Sequence, residues 1–336
     1  MSVPETSPEG EKLSIWRALN RALGDALRDD PRVFLMGEDI STWGTGGGIY
    51  GVTRRLLEEF GEERVRSTPI SEEVMVSAAV GAAMTGSRPI VEIMYSDFSL
   101  LAMDAIVNQA AKAHYMFGSQ FTVPLVVRSN GGSQMGKAAQ HSQSLETLFA
   151  HIPGLEVVVP ATAGDAYGLL RSAIASPNPT IFLEHKALYN ERDVVTFEPI
   201  PLGVARVVRE GRDATVFATQ LMLRPALAAA DRLASRGIEI EVIDPRTLAP
   251  LDMDTILSSV EKTRRLLVLH EAPRSFGFGA EVVAEIAERL GPRLAVPPRR
   301  LCGENVPIAY AEALEKAAVP STERIAKVLE EMITGN

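Results

Sequence analysis

Pro89-Ile90-Val91-Glu92-Ile93-Met94-Tyr95 is an apolar run of strand length set between two helical patterns. Its β-branched residues suit a pleated, buried strand, and it is too short for a helix. Before it, residues 71–84 read as a helix with Ser71 as N-cap. Glu72 and Glu73 then fall in the first turn, where negative charge suits the helix dipole. After it, residues 99–117 read as a long helix. The alternation continues outward, with strands at 33–36, 124–127, 155–159 and 180–183 and helices at 13–27, 52–60 and 164–175. Apolar strands between helices predict an α/β fold whose largely parallel sheet is covered on both faces.

Residues 194–203, with Pro199 and Pro201, break the pattern and suit a linker. The alternation then restarts, with strands at 214–218, 238–243 and 266–269 and helices at 225–236, 252–262, 280–290 and 321–332. The expected organisation is a flexible arm at 1–10, one domain at 11–195, a linker at 196–203 and a second α/β domain at 204–336.

Composition narrows the function classes. With 46% hydrophobic and 23% charged residues, a substantial core is expected and wholesale disorder is not. A net charge of -9 disfavours a nucleic-acid partner, and the pairs Arg54-Arg55, Arg264-Arg265 and Arg299-Arg300 read as solvated or ion-paired faces. Cys302 is the single cysteine, which excludes an intrachain disulfide and suits a reducing compartment. Residues 1–12 lack the basic start and apolar core of a secretory signal, and no apolar stretch is long enough for a bilayer. The expectation is a cytoplasmic protein without a membrane partner.

Two glycine-rich segments imitate phosphate loops. Gly46-Gly47-Gly48-Ile49-Tyr50-Gly51 matches G-x-G-x-x-G, yet it begins well after the strand it should follow at once. Gly131-Gly132-Ser133-Gln134-Met135-Gly136-Lys137-Ala138 follows a strand, but Ala138 stands where a hydroxyl must bind magnesium. This second segment reads better as a flexible loop carrying His141, within Ala138-Ala139-Gln140-His141-Ser142-Gln143, to a site beyond a strand end. None of the five histidines forms an H-E-x-x-H pair. Glu72 in Thr68-Pro69-Ile70-Ser71-Glu72-Glu73, at a helix start, and His141, on a loop, are natural parts of an acid/base site.

Leu35-Met36-Gly37-Glu38-Asp39, Thr68 to Glu72, Ala78 to Ala83, Ala138 to Gln143, Pro153-Gly154-Leu155, Val242 to Leu248 and His270-Glu271-Ala272-Pro273 carry a resemblance that runs nearly end to end. In that order, they resemble the beta subunit of the decarboxylating component of 2-oxo acid dehydrogenase complexes. These are thiamine diphosphate enzymes acting on pyruvate, branched-chain 2-oxo acids or acetoin. The resemblance implies a thiamine diphosphate-binding fold, with a pyrimidine-type domain followed by a transketolase C-terminal-like domain. It places Glu72 at N1′ of the aminopyrimidine, where a proton-sharing carboxyl promotes the imino tautomer that removes the thiazolium C2 proton. It places Ile70, Met94 and Phe98 around that ring, although all three also suit ordinary core. It assigns His141 to proton transfer or anion stabilisation, and to handing the acyl group to a lipoyl arm.

The cofactor's diphosphate needs Mg2+, which the family holds with Gly-Asp-Gly and a later Asn. This chain has no Gly-Asp-Gly. The resemblance therefore implies an alpha subunit that supplies the magnesium site, an alpha2-beta2 heterotetramer, and a lipoyl acyltransferase core as the further partner. A potassium ion is expected near Ala173 and Asn178, though Ser176 replaces an acid common in relatives. The second domain would pair subunits and meet the core, with Glu271, Glu330 and Glu331 available to a basic binding domain. Residues 184–189 and 244–248 look closest to the bacterial pyruvate and acetoin types. The rivals are a split transketolase-like carboligase subunit, a non-catalytic assembly subunit and an NAD-binding oxidoreductase.

Overall fold

The computed structural model describes residues 10–41 and 47–335. The expected arm lies outside them apart from Gly10, as does Gly46 at the start of the first glycine-rich segment.

The strands are β1 (Glu11–Ser14), β2 (Val33–Glu38), β3 (Val65–Thr68), β4 (Arg88–Ile93), β5 (Val126–Gly131), β6 (Glu156–Val158) and β7 (Thr180–His185). They continue with β8 (Arg192–Val195), β9 (Arg206–Arg209), β10 (Ala214–Ala218), β11 (Ile240–Asp244), β12 (Thr247–Ala249), β13 (Leu266–Pro273) and β14 (Arg299–Gly303). Among the described residues they form a seven-stranded sheet ordered β12-β6-β7-β5-β4-β2-β3, a five-stranded sheet ordered β14-β13-β10-β11-β9, and a β1-β8 ribbon. Each larger sheet is parallel except for one antiparallel edge strand, β12 against β6 and β9 against β11. The interior strands β4, β5 and β7 are buried almost throughout, which is why they read as continuous apolar runs.

Helices cover both faces of the first sheet. Helix Ile15–Asp29 presents Leu19 and Leu23 to helix Ala163–Ala175, which answers with Ala166 and Leu170, all fully buried. Burying a leucine of this kind contributes about 1.5–3 kcal/mol. On the other face lies helix Glu72–Met84, whose buried stripe is Glu72, Met75, Val76, Ala79, Val80 and Ala83. Among the described residues, no helix is long and apolar enough to cross a membrane.

Several expectations are corrected. The strand expected at 33–36, β2, runs on through Glu38. The long helix expected at 99–117 is present as a continuous helical stretch that begins at Ser96 and changes winding, from a 3-10 segment Ser96–Ala102 through a π-helical segment Ala105–Ala110 to a short α-helix Ala111–Met116. Val194 and Val195 belong to β8, paired with β1, instead of opening a linker. Ser71 stands at the N-cap position, but its side chain makes no capping bond. Strand β12 comes from beyond the linker and pairs Thr247 with Val158 and Ala249 with Val157, so the second half of the chain completes the first sheet.

Candidate active site

β3, β2, β4, β5 and β7 run parallel, so their carboxyl ends share one rim. Register fixes which residues meet there: Glu38 lies opposite Thr68, Ile93 opposite Ser129, and Gly131 opposite His185. The segments leaving this rim carry Glu72, Met94 to Phe98, and the loop to His141. Ligands of open α/β sheets bind at such a rim.

Glu72 heads the buried stripe of its helix, which turns a first-turn acid inward, leaving it 6% exposed. Glu38, at the end of β2, is the residue that sequence reasoning missed. Burial, reinforced by the charges of Glu72 and Asp39, pushes its carboxyl up to about 7. Its buried Oε1 finds no hydrogen-bond partner among the described residues. The signal for it was an acid at the carboxyl end of an apolar strand.

The expected ring contacts divide. Met94 is buried, and Phe98 is half-buried and packed against the core. Ile70 is 78% exposed and is not core of this chain, and Val74, one turn on in sequence, is exposed as well. His141 is half-buried, with its ring edge-on to Tyr95 (4.9 Å between centroids) and Phe98 (5.3 Å). Gly48 covers the same region: a Cβ there would lie 3.5 Å from Glu92 Oε1 and 3.8 Å from Met94 Cε. The structure thus gathers Glu72, Glu38, Met94, Phe98 and His141 at one rim. A buried carboxyl, a second acid with an unused oxygen and apolar or aromatic walls are what a flat, nitrogen-bearing ring requires, so the residues suit an aminopyrimidine.

A buried ion network supports this floor. Arg128, 2% exposed, donates to Glu92 at 2.6 Å and to both oxygens of Glu184 at 2.7 and 2.9 Å. The Tyr189 hydroxyl donates to Glu184 at 2.5 Å. Pairing and hydrogen bonds of this density are what make buried charge tolerable.

Other expected site residues lie elsewhere. In the segment holding Ala173 and Asn178, Arg88 donates to the carbonyls of Ile174 (2.7 Å) and Ser176 (3.1 Å). Glu156 accepts from the Ser176 hydroxyl, the Asn178 amide and the Thr180 hydroxyl. Glu271 does not face a partner: it is buried, 2.8 Å from His185 Nε2, and accepts the Ser133 amide. Glu330 and Glu331 are already paired, with Arg236 and Arg299. Among the described residues, no group of three or more His, Cys, Asp or Glu side chains is placed to hold a metal ion.

Comparison with known proteins adds a second line. Residues 11–192 match the transketolase pyrimidine-binding domain and residues 203–325 the transketolase C-terminal domain. The chain is 42% identical to the pyruvate dehydrogenase E1 component subunit beta-2, mitochondrial, of rice, covering 96% of this chain and 86% of that one. It is 44% identical to the pyruvate dehydrogenase E1 component subunit beta of Rickettsia bellii, over 92% and 95% of the two chains. It is also 42% identical to the acetoin:2,6-dichlorophenolindophenol oxidoreductase subunit beta of Bacillus subtilis, over 96% and 97%. In fold it is similar to a split-gene transketolase described as an inactive beta4 tetramer, with TM-score 0.79 and 20% identity over 96% and 98% of the chains.

Proposed function

The chain belongs to the family of beta subunits of pyruvate and acetoin dehydrogenase E1 components, and from that premise we propose that it forms the pyrimidine side of an active site completed by an alpha subunit. It is the beta subunit of a 2-oxo acid or acetoin dehydrogenase, an oxidoreductase dependent on thiamine diphosphate. The observation that carries the proposal is Glu72, a carboxyl turned inward at a strand-end rim, with Glu38 on one side and the aromatic shelf of His141 nearby.

Bound at this rim, thiamine diphosphate supplies the electron sink that decarboxylation requires. The chain's own residues bind and orient it. Glu72 holds a proton at N1′. Glu38, protonated for much of the time near neutrality, limits the negative charge beside it. Met94 and Phe98 exclude water, and Ile70 offers apolar surface at the mouth. Tyr95 and Phe98 hold the His141 ring edge-on, ready for proton transfer or for an anion as the acyl group passes to a lipoyl arm.

We assign the Mg2+ ligands to the alpha subunit, in an alpha2-beta2 heterotetramer that serves a lipoyl acyltransferase core. Exposed Ile70 and Val74, beside the Glu72 carboxyl, support a protein partner at this mouth. The Ala173 and Asn178 segment gives a potassium ion weaker support, because Arg88 already binds two of its carbonyls.

The test is reconstitution. The rigorously purified chain is expected to bind thiamine diphosphate poorly and to turn over nothing. With an alpha subunit and Mg2+, it should oxidise pyruvate or acetoin with an artificial acceptor and acylate lipoamide. Turnover by the single chain contradicts a shared site, and sugar-phosphate ligation without any use of lipoamide favours a carboligase.

A further inference from the structure

We propose that Glu315, on the second domain, is a positioning residue for His141: with Glu271 it locks the glycine-rich loop from which that histidine is launched. The inference rests on the role of His141 argued above.

The loop was expected to be flexible, yet the amides of its first half are engaged. Four consecutive backbone N–H groups, those of Ser133, Gln134, Met135 and Gly136, donate to carboxylates of the other domain. Ser133 donates to Glu271 Oε1. Gln134 (2.7 Å) and Met135 (3.3 Å) donate to Glu315 Oε1, and Gly136 (3.2 Å) to Glu315 Oε2. Such a run of inward-turned amides is an anion nest. That explains why the segment imitates a nucleotide loop: it has the backbone of one, and the anion it holds is built in.

The shape is imposed from outside the loop. Gln134 (φ +67°) and Ala138 (φ +60°) are non-glycine residues in the left-handed region. Such backbone is strained and persists only where its surroundings hold it in place. Packing does not supply the hold along the whole seam, because a cavity of about 350 Å³ lies beside it, lined by Ser142, Gln143, Leu145, Glu271, Pro273 and Val306. The charge-assisted bonds to Glu315, which is 1% exposed, do supply it. At the loop's root, Lys186 Nζ donates to the Gly132 carbonyl. A Cβ on Gly132 would lie 2.1 Å from His185 Nε2, so only glycine fits. Burial would raise the Glu271 carboxyl, but His185 and Ser133 outweigh it and hold it below its ordinary value, as an ionised acceptor. From Gly136 the chain reaches His141 within a few residues, closed by the His141 amide donating to the Ala138 carbonyl at 3.4 Å.

The experiment compares Glu315→Ala and the near-isosteric Glu315→Gln with wild type, each assembled with the alpha subunit. It records hydrogen exchange of the amides at 133–141, oxidation with an artificial acceptor, acyl transfer to lipoamide, and melting temperature. Expected for Glu315→Ala is exchange faster by roughly 10-fold or more and acyl transfer lower by roughly 10-fold, the scale of a misplaced group. Artificial-acceptor turnover should fall no further than it does in His141→Ala, and Glu315→Gln, which keeps an acceptor oxygen, should lie between wild type and Glu315→Ala. Glu315→Ala added to His141→Ala should cost no further acyl transfer, since both act through one group. Unchanged exchange in both variants overturns the lock. Faster exchange with intact acyl transfer, while His141→Ala is impaired, overturns the positioning role. An unimpaired His141→Ala overturns the role of His141 itself, and with it the positioning, while exchange still reports on the lock.

Discussion

The carboxyl of Glu38 lies near enough to that of Glu72 for the charge on Glu72 to oppose its ionisation. The two arrive from neighbouring strands: Glu38 ends β2 opposite Thr68, and four residues on from Thr68 the chain turns into the helix that Glu72 begins. The charge on Glu72 thus favours the protonated form of Glu38, which limits the negative charge at the rim proposed to take the ring.

Glu38 therefore contributes a pH-dependent penalty. Below pH 4.5 its carboxyl is protonated in folded and unfolded chain alike and contributes nothing. From there to about 7 only the unfolded chain ionises, so stability falls as pH rises, and the full penalty is present above about 7. Glu38→Gln should raise the stability of the chain by about 1–3 kcal/mol at pH 8 and leave it unchanged at pH 4. Urea unfolding at the two pH values measures this, and equal effects at both would reject it.

Glu72→Gln keeps the size of the side chain and removes its proton chemistry. Turnover of the assembled enzyme should fall by about 10²-fold or more, the usual scale for a positioned acid/base group. Wild-type turnover in that variant refutes the assignment.

For His141→Ala, acyl transfer to lipoamide should drop by about 10²-fold. Comparison with decarboxylation read through an artificial acceptor shows which half of the reaction the ring serves. If neither rate changes, the histidine has no role in either.

Arg128→Met leaves Glu92 and Glu184 buried without their cation. The loss should be about 3–5 kcal/mol, read from denaturant midpoints. Adding Glu92→Gln and Glu184→Gln to the same chain should recover a large part of it, because the cost comes from stranded charge and not from a lost contact.

The parts of the fold legible in the sequence are those set by local pattern. Ile90, Val91, Val126 and Val127 sit in strands buried on both sides, so their runs declare themselves. Strand β12 does not: Thr247-Leu248-Ala249 is too short to carry a period and becomes a strand by pairing with Val157 and Val158. The segment after β4 reads as one long helix by periodicity. Its winding nevertheless changes from 3-10 to π to α along the way, which that period does not encode.

The candidate site was legible in the same uneven way. Glu72 and His141 stood out because a helix start and a loop after a strand are recognisable locally. Glu38 escaped because Gly37 and Glu38 read as residues following a strand that stops at 36 and prove to be part of it. Glu315 was invisible for a different reason: the amides it holds lie about 180 positions away along the chain, and no local pattern encodes such a bond.

The crossing of β12 into the first sheet makes the two halves poor cassettes. A gene fragment cut at 196–203 would strip β6 of its edge partner β12 and present an unpaired strand edge, ready to template pairing with another copy. Moving the cut past Ala249 would spare that sheet only by parting β10 from β13 in the other, so the halves are exchangeable between relatives only as a matched pair.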